Sequence, residues 1–246
     1  MNICCVIPVY DHEHAIGAVV DGVLAHGLHC ILVDDGSSVG CAAALDRIAA
    51  AAPQSVTLVR HALNQGKGGA VISGVRRAAT DGYTHVLQID ADGQHDVADV
   101  PRFLALAGEH PDALIVGSPI YDASVPRLRF YARYLTHVWV WINTLSFAID
   151  DSMCGFRVYP VAPVMALIAR QRLGLRMNFD IEILVRLYWA GLAVVNQPTR
   201  VRYPTDGVSH FRGVLDNVLI SRVHTTLFLG MLVRLPLLLA KKWRAP

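Results

Sequence analysis

Between residues 2 and 117, short and wholly apolar runs alternate with longer stretches that suit helices. The runs are "NICCVIPV", "HCILVDD", "SVTLVR", "YTHVLQID" and "ALIVGS"; the segments between them, 13–26, 40–52, 67–80 and 97–109, read as helices. Strands that are apolar throughout have both faces buried, and strands alternating with helices feed a parallel sheet. The pattern therefore predicts an α/β chain with an open, doubly wound, mostly parallel sheet. No repeat, low-complexity tract or Pro/Ser linker divides the region.

Past residue 120 the pattern changes. "RLRFYARYLTHVWVWINTLSFAI" predicts a long helix over 127–149, basic at its front and aromatic behind. A polar turn "DDSMCGF" follows, then a strand "RVY", helices near 161–169 and 178–190, and a strand pair around "LAVVNQPTRVRY". The last segment is apolar from Thr226 onward but broken by Arg234 and Pro236. Its unbroken apolar length falls short of the roughly 20 residues a spanning helix needs, which predicts an amphipathic, interfacial helix. Lys241, Lys242, Trp243 and Arg244 suit an anionic membrane surface. Packing on the domain, or on another copy in a homo-oligomer, is the other use of such a helix.

Composition narrows the partners. Lys and Arg number 22 against 20 Asp and Glu, a net charge of +2, so no basic field argues for nucleic acid. Hydrophobic residues make up 53% and charged ones 17%, leaner than the roughly 25% charge usual in soluble domains, which points to contact with lipid. Cys4, Cys5, Cys30, Cys41 and Cys154 form no CxxC pair and lie in apolar runs, as expected of reduced cytosolic thiols rather than disulfides or a zinc site. The first apolar run has no basic flank and no small-residue cleavage site, so no signal peptide is expected.

In open α/β sheets ligands bind outside the carboxyl ends of the strands. Here those ends read "PVYDHEH", "VDDGSS", "RHALNQGKGGA", "IDADGQH" and "GSPIYD", which describes one polar cleft. Asp90 and Asp92 are two residues apart, so in extended backbone their side chains share one side and repel unless a cation lies between them. Mg²⁺ or Mn²⁺ suits such oxygen ligands, with Gln94 adding an amide oxygen from the turn. His95 reads as a hydrogen-bonding neighbour.

"NQGKGGA" fails the Walker pattern, because His61 stands at its first Gly and Gly68 at its Ser/Thr. Gly66, Gly68 and Gly69 still permit close backbone approach to a ligand, or simply a tight turn into a helix, and Lys67 adds a point charge. "PVYDHE" contains no glycine, which excludes a dinucleotide-binding GxGxxG after the first strand. Asp34 and Asp35 suit either a base or ribose contact or a helix cap.

Taken together, "IPVYDHE", "VDDGSS", "NQGKGGA", "IDADGQH" and "DSMCGFRVY" resemble the family 2 glycosyltransferases, in particular the branch similar to dolichol-phosphate mannosyltransferase, over roughly residues 3–205. The resemblance implies a GT-A-like nucleotide-sugar-binding fold and an inverting, metal-dependent hexosyltransferase. By position, Pro8, Tyr10, Glu13 and Asp35 would surround the donor base and Lys67 would lie near the donor. Asp90, Asp92 and Gln94 would hold the metal and diphosphate, Asp90 serving donor and metal together. Asp151 would be the general base for a hydroxyl acceptor, with Arg157 on the acceptor side.

Two departures bear on that acceptor. Pro119 stands where the branch has an arginine for the acceptor phosphate, and His210 replaces a lysine in a later acceptor loop. The lost arginine favours a hydroxyl on a lipid or lipid-linked acceptor, while Arg127, Arg129 and Arg133 keep polyprenyl or dolichyl phosphate, with a mannosyl or glucosyl donor, as the alternative. The expected layout is a catalytic domain over 1–205 and an acceptor loop with a membrane-interfacial helix over 206–246. Its expected partners are a UDP- or GDP-linked sugar, a lipidic acceptor and the cytoplasmic face of the inner membrane, where it would sit peripherally. A sugar nucleotidyltransferase would need a Gly-rich basic loop after the first strand, which is absent; a non-catalytic nucleotide-sugar-binding protein is the remaining rival.

Overall fold

The computed structural model describes residues 1–120, 127–202 and 212–244. Strands β1 (Ile3–Val9), β2 (His29–Asp34), β3 (Val56–Arg60), β4 (His85–Gln88) and β5 (Leu114–Ile120) alternate with helices α1 (Ile16–Leu24), α2 (Val39–Ala51), α3 (Lys67–Thr80) and α4 (Val100–Glu109). Then come α5 (Arg127–Thr144), β6 (Arg157–Pro160), α6 (Val161–Arg170), α7 (Phe179–Trp189), β7 (Val194–Arg200) and α8 (Gly213–Arg244). The seven strands form one sheet in the order β3-β2-β1-β4-β6-β5-β7. Only β6 runs antiparallel to its neighbours, so the sheet is mixed but mostly parallel.

Alternate strand residues feed two separate cores. Cys4, Val6, Ile31 and Val33 pack with α3, α6, α7 and α8; Cys5, Ile7, Cys30 and Leu32 pack with α1, α2 and α4. Burial on both faces explains why these strands read as unbroken apolar runs. All five cysteines are free and buried, and burial pushes the Cys4 and Cys154 thiols up to about 12, which leaves them unreactive.

The structure differs from the sequence pattern at two places. The expected strand pair near 192–203 is the single edge strand β7, in which Pro198 is tolerated because an edge strand can spare a ladder N–H. The helix expected over 127–149 stops at Thr144: Leu145 has a φ of +51°, and the chain turns so that the Trp141 indole N–H donates to the Ile149 carbonyl.

α8 runs unbroken for 32 residues through Pro236. By length and composition Gly213–Ala240 could cross a membrane. However, Asp216, Ile220, Val223, Leu227, Met231 and Leu238 recur at helical spacing and are buried on one side, while Val218, Leu229, Leu232, Val233 and Leu237 are exposed on the other. One face is thus spent on the domain and the other is apolar and open.

His224 is buried where α8 meets α5, with Asn143 Nδ2 donating to its Nδ1 at 3.4 Å and the Trp139 ring 6.1 Å away. Burial pushes its pKa down to about 4. The unfolded chain takes up a proton near pH 6.5 that the folded chain refuses, so this contribution is complete above that pH and lost as pH falls toward 4. The thermal midpoint should therefore drop through that window, by up to ~3 kcal/mol of stability. In His224→Gln most of that slope should vanish; an unchanged slope would assign it to other groups.

Candidate functional site

Chain order reverses at β1, with β2 and β3 on one side and β4 on the other, and a crevice opens at the carboxyl ends of strands at such a point. Into it run residues 10–13 after β1 and 89–96 after β4. Ile89 is fully buried and its N–H donates to Val6 O, which fixes the start of the second segment. Further on, Arg202 N–H donates to Gln94 O, and His95 bridges Val201. Asp92 Oδ1 accepts from Gln94 N–H at 3.0 Å. Held this way, Asp90, Asp92 and Gln94 line one pocket, with His95, Pro119, Arg133 and residues 153–155 around them.

The donor set fits a hard cation: carboxylate oxygens and an amide oxygen on one wall. The opposite support is Gly155, where a Cβ would come within 2.1 Å of Asp90 Oδ2, so only glycine leaves the carboxylate its place. A cation there would neutralise charge on a bound diphosphate. Among the described residues, a second group of ligand-type atoms, from Asp11 and Glu13 after β1 and Cys41 on α2, lies within 4.8 Å of one another.

Asp90 already has an ammonium against both of its carboxylate oxygens. Lys67 Nζ lies 2.8 Å from Asp90 and 2.9 Å from Asp180 on α7. Burial alone would raise the Asp90 pKa, but Lys67 and His95 overcome it and hold the carboxyl well below the usual range. Burial likewise works against the Lys67 charge, and Asp180 and Asp90 outweigh it, so the ammonium stays protonated. His95 Nε2 is 3.8 Å from Asp90, and its ring packs 5.5 Å from Phe156.

Other expected site residues take different positions. Pro8 is buried within β1, paired with Val33, while Tyr10 and Glu13 are half-buried at the crevice. Asp35 is 2% exposed, and it accepts from His61 Nδ1 (2.7 Å), Gln65 N–H (2.9 Å) and Gly66 N–H (2.7 Å). Its carboxylate is thus spent on the glycine turn, where sequence reasoning expects a contact with the donor base. That turn is closed by protein: Gly68 and Gly69 N–H donate to the Leu175 carbonyl at 2.8 and 3.3 Å. Gly66 has a φ of +94°, and a Cβ there would meet that same carbonyl at 2.4 Å. The close backbone approach that the glycines permit is made by the 171–178 loop.

Arg157, expected on the acceptor side, has no exposed surface. Its guanidinium donates to the Asp180 and Ser152 carbonyls, both at 2.8 Å, and to Tyr159 Oη at 3.2 Å, within the protein interior. An acceptor cannot reach it.

Asp151 is likewise buried, at 3% exposed. Arg133 Nε and Nη2 donate to its two oxygens at 2.6 and 2.7 Å, Met153 and Cys154 N–H to Oδ1 at 2.7 Å, and His137 Nε2 lies 3.3 Å from Oδ2. Burial opposes its ionisation, yet Arg133 and His137 hold the carboxyl well below the usual range. A saturated, weakly basic carboxylate is a poor proton acceptor; the geometry makes Asp151 the anchor of Arg133 rather than a general base. The side chains of Arg127 and Arg129, and all of His210, lie outside the described residues.

Asp180 and Gly155 were not anticipated. Asp180 left one signal, a carboxylate inside the apolar run "NFDIEILV", since a buried charge needs a partner.

A family model described as "Glycosyl transferase family 2" matches residues 4–173. The chain is 27% identical over 226 residues to polyprenol monophosphomannose synthase of Mycolicibacterium smegmatis, covering 85% of this chain and 80% of that one. It is 32% identical over 206 residues to undecaprenyl-phosphate mannosyltransferase of Micrococcus luteus, covering 80% and 82%. In three dimensions it resembles glucosyl-3-phosphoglycerate synthase from Mycobacterium tuberculosis, solved with Mn²⁺ and UDP-glucose, with a TM-score of 0.65, 19% identity and coverage of 94% and 78%. The fold is thus the GT-A-like α/β fold that the sequence resemblance implies.

Proposed function

Because the chain belongs to glycosyl transferase family 2, we propose that it moves a hexose, with inversion, from a UDP- or GDP-linked sugar to a polyprenyl phosphate. One observation carries the acceptor: Arg133, gripped by Asp151, enters the same pocket as Asp90, Asp92 and Gln94, beside Pro119. A guanidinium matches a phosphate in shape and charge, and α5 thus delivers to the pocket a cation of the kind that Pro119 removes from β5. A phosphate acceptor arrives ionised and needs no base, which agrees with Asp151 being unavailable as one. The names of the two sequence relatives support the same acceptor. This reading replaces the expected hydroxyl acceptor.

On the donor side, Asp90, Asp92 and Gln94 would hold Mg²⁺ or Mn²⁺, which would stabilise the departing nucleoside diphosphate. Tyr10 and Glu13, half-buried after β1, would meet the base. The exposed apolar side of α8, with Trp139 and Ile142 on α5, would rest on the cytoplasmic face of the membrane, where a polyprenyl phosphate presents its head group. The basic C-terminal end of α8 suits anionic lipid.

The experiment offers UDP-glucose or GDP-mannose with Mn²⁺ to a polyprenyl phosphate and to the matching free polyprenol in detergent. Transfer to the phosphate, abolished by chelation, is the expected result. Transfer to the alcohol alone would overturn the acceptor, and transfer that survives chelation would overturn the cation.

A further inference from the structure

The pocket wall carries two carboxylates for a cation, yet one of them, Asp90, is in contact with an ammonium group. Lys67 Nζ lies 2.8 Å from Asp90. Like charges compete for one carboxylate: an ammonium shared with nothing else would neutralise Asp90 and repel a divalent ion bound on its other side. The structure supplies a counterweight behind the lysine. Asp180 Oδ2 lies 2.9 Å from the same Nζ, and Asp180, 5% exposed, does not line the pocket. Asp180 is fixed in turn from below. Gln88 Nε2 donates to its Oδ1 at 3.4 Å, Arg157 Nη1 lies 3.8 Å from that oxygen, and Arg157 Nη1 also holds the Asp180 carbonyl at 2.8 Å.

We propose that Asp180 is a positioning residue: by drawing the Lys67 ammonium to its far side it leaves Asp90 enough negative charge to ligate a divalent cation together with Asp92. The inference rests on the proposed donor site and adds a residue that touches neither cation nor donor. Arg157 takes part as the support of Asp180. That accounts for a fully buried guanidinium whose hydrogen bonds end on α7, the 152 carbonyl and Tyr159. A merely structural Asp180 would stabilise α7 against α3 and leave cation binding alone.

Calorimetric titration of the full chain with UDP and with GDP, each with and without Mn²⁺, separates these. The wild-type protein should bind one of them in a Mn²⁺-dependent way. Asp180→Asn should weaken that binding by about ten- to a hundredfold, the range for residues that orient metal ligands. The loss should shrink to less than about twofold when Asp180→Asn is added to Lys67→Met, because residues acting through one partner are not additive.

Equal affinity in Asp180→Asn and wild type overturns the proposal, and so does an undiminished loss in the Lys67→Met background. If Asp180→Asn does not fold, Asp180→Glu keeps the buried charge but displaces the lysine. It should weaken Mn²⁺-dependent binding while the ligand-free thermal midpoint holds, and wild-type affinity there also overturns the proposal. A wild-type chain that binds neither nucleotide in the presence of Mn²⁺ overturns the donor site itself, an outcome distinct from all of these.

Discussion

Asp92→Ala is expected to lower the turnover of sugar transfer by about two to three orders of magnitude, the range for removing one electrostatic contact to a departing anion. The thermal midpoint without ligand should stay within about 1 kcal/mol equivalent of wild type, as for substitutions away from core and buried networks. The asymmetry follows from where the carboxylate stands. Asp92 is half-buried at the pocket wall, and its hydrogen bond comes from Gln94 N–H two residues on. Asp90, half-buried as well, is tied to Lys67 and through it to Asp180, so its replacement mixes catalysis with stability. Rates with Mn²⁺ in excess, alongside thermal unfolding without ligand, make the check. A variant that unfolds with its activity loss, or that keeps more than a tenth of its turnover, would remove Asp92 from the cation site.

The second large effect belongs to Arg133. Arg133→Met strips a buried carboxylate of its guanidinium and should cost about 3–5 kcal/mol, the range for breaking one side of a buried pair. Adding Asp151→Asn should return most of that loss. The asparagine Oδ1 can still accept from Met153 and Cys154 N–H, and a neutral side chain no longer needs a counterion.

The double variant should nevertheless stay unable to use polyprenyl phosphate, because in the proposed function the guanidinium meets the acceptor. Recovery of stability without recovery of transfer is the expected signature; recovery of both would make Arg133 structural.

The pH dependence has a definite sign. The folded-state pKa of Asp151 lies below its unfolded value, so its contribution is present above about pH 3.9 and lost as pH falls below it. Urea midpoints of wild type and Arg133→Met should therefore converge in acid.

Much of this architecture is local in origin and could be read along the chain. β1 to β5 announce themselves because both their faces are buried, whereas Asp90 and Asp92 reach one pocket from a turn after β4, not from the extended backbone that their spacing suggests. What escaped reading is what distant segments do to each other. Asp35 has the spacing of a base-contacting carboxylate, but its bonds to His61, Gln65 and Gly66 come from turns 26–31 residues away. Asp151 has the look of a base until Arg133, on a helix before it, closes on both oxygens. Arg157 closes a motif like a ligand-binding residue, yet β6 carries it into the interior, a consequence of a strand whose antiparallel direction no apolar run betrays. The break at Leu145 is likewise invisible, since the residues after it are as apolar as those before.

The Leu175 carbonyl on the α3 terminus has one more consequence. A helix end with open amides would attract an anion equally before and after the sugar leaves. With that end occupied by the chain's own backbone and Lys67 held between Asp90 and Asp180, the hold on a diphosphate in the proposed donor site would rest on an ion that can depart. Retention would then be conditional, strong while the cation is seated and weak once it goes. Discharge of the spent nucleotide, rather than its capture, would become the step most exposed to the level of free divalent metal.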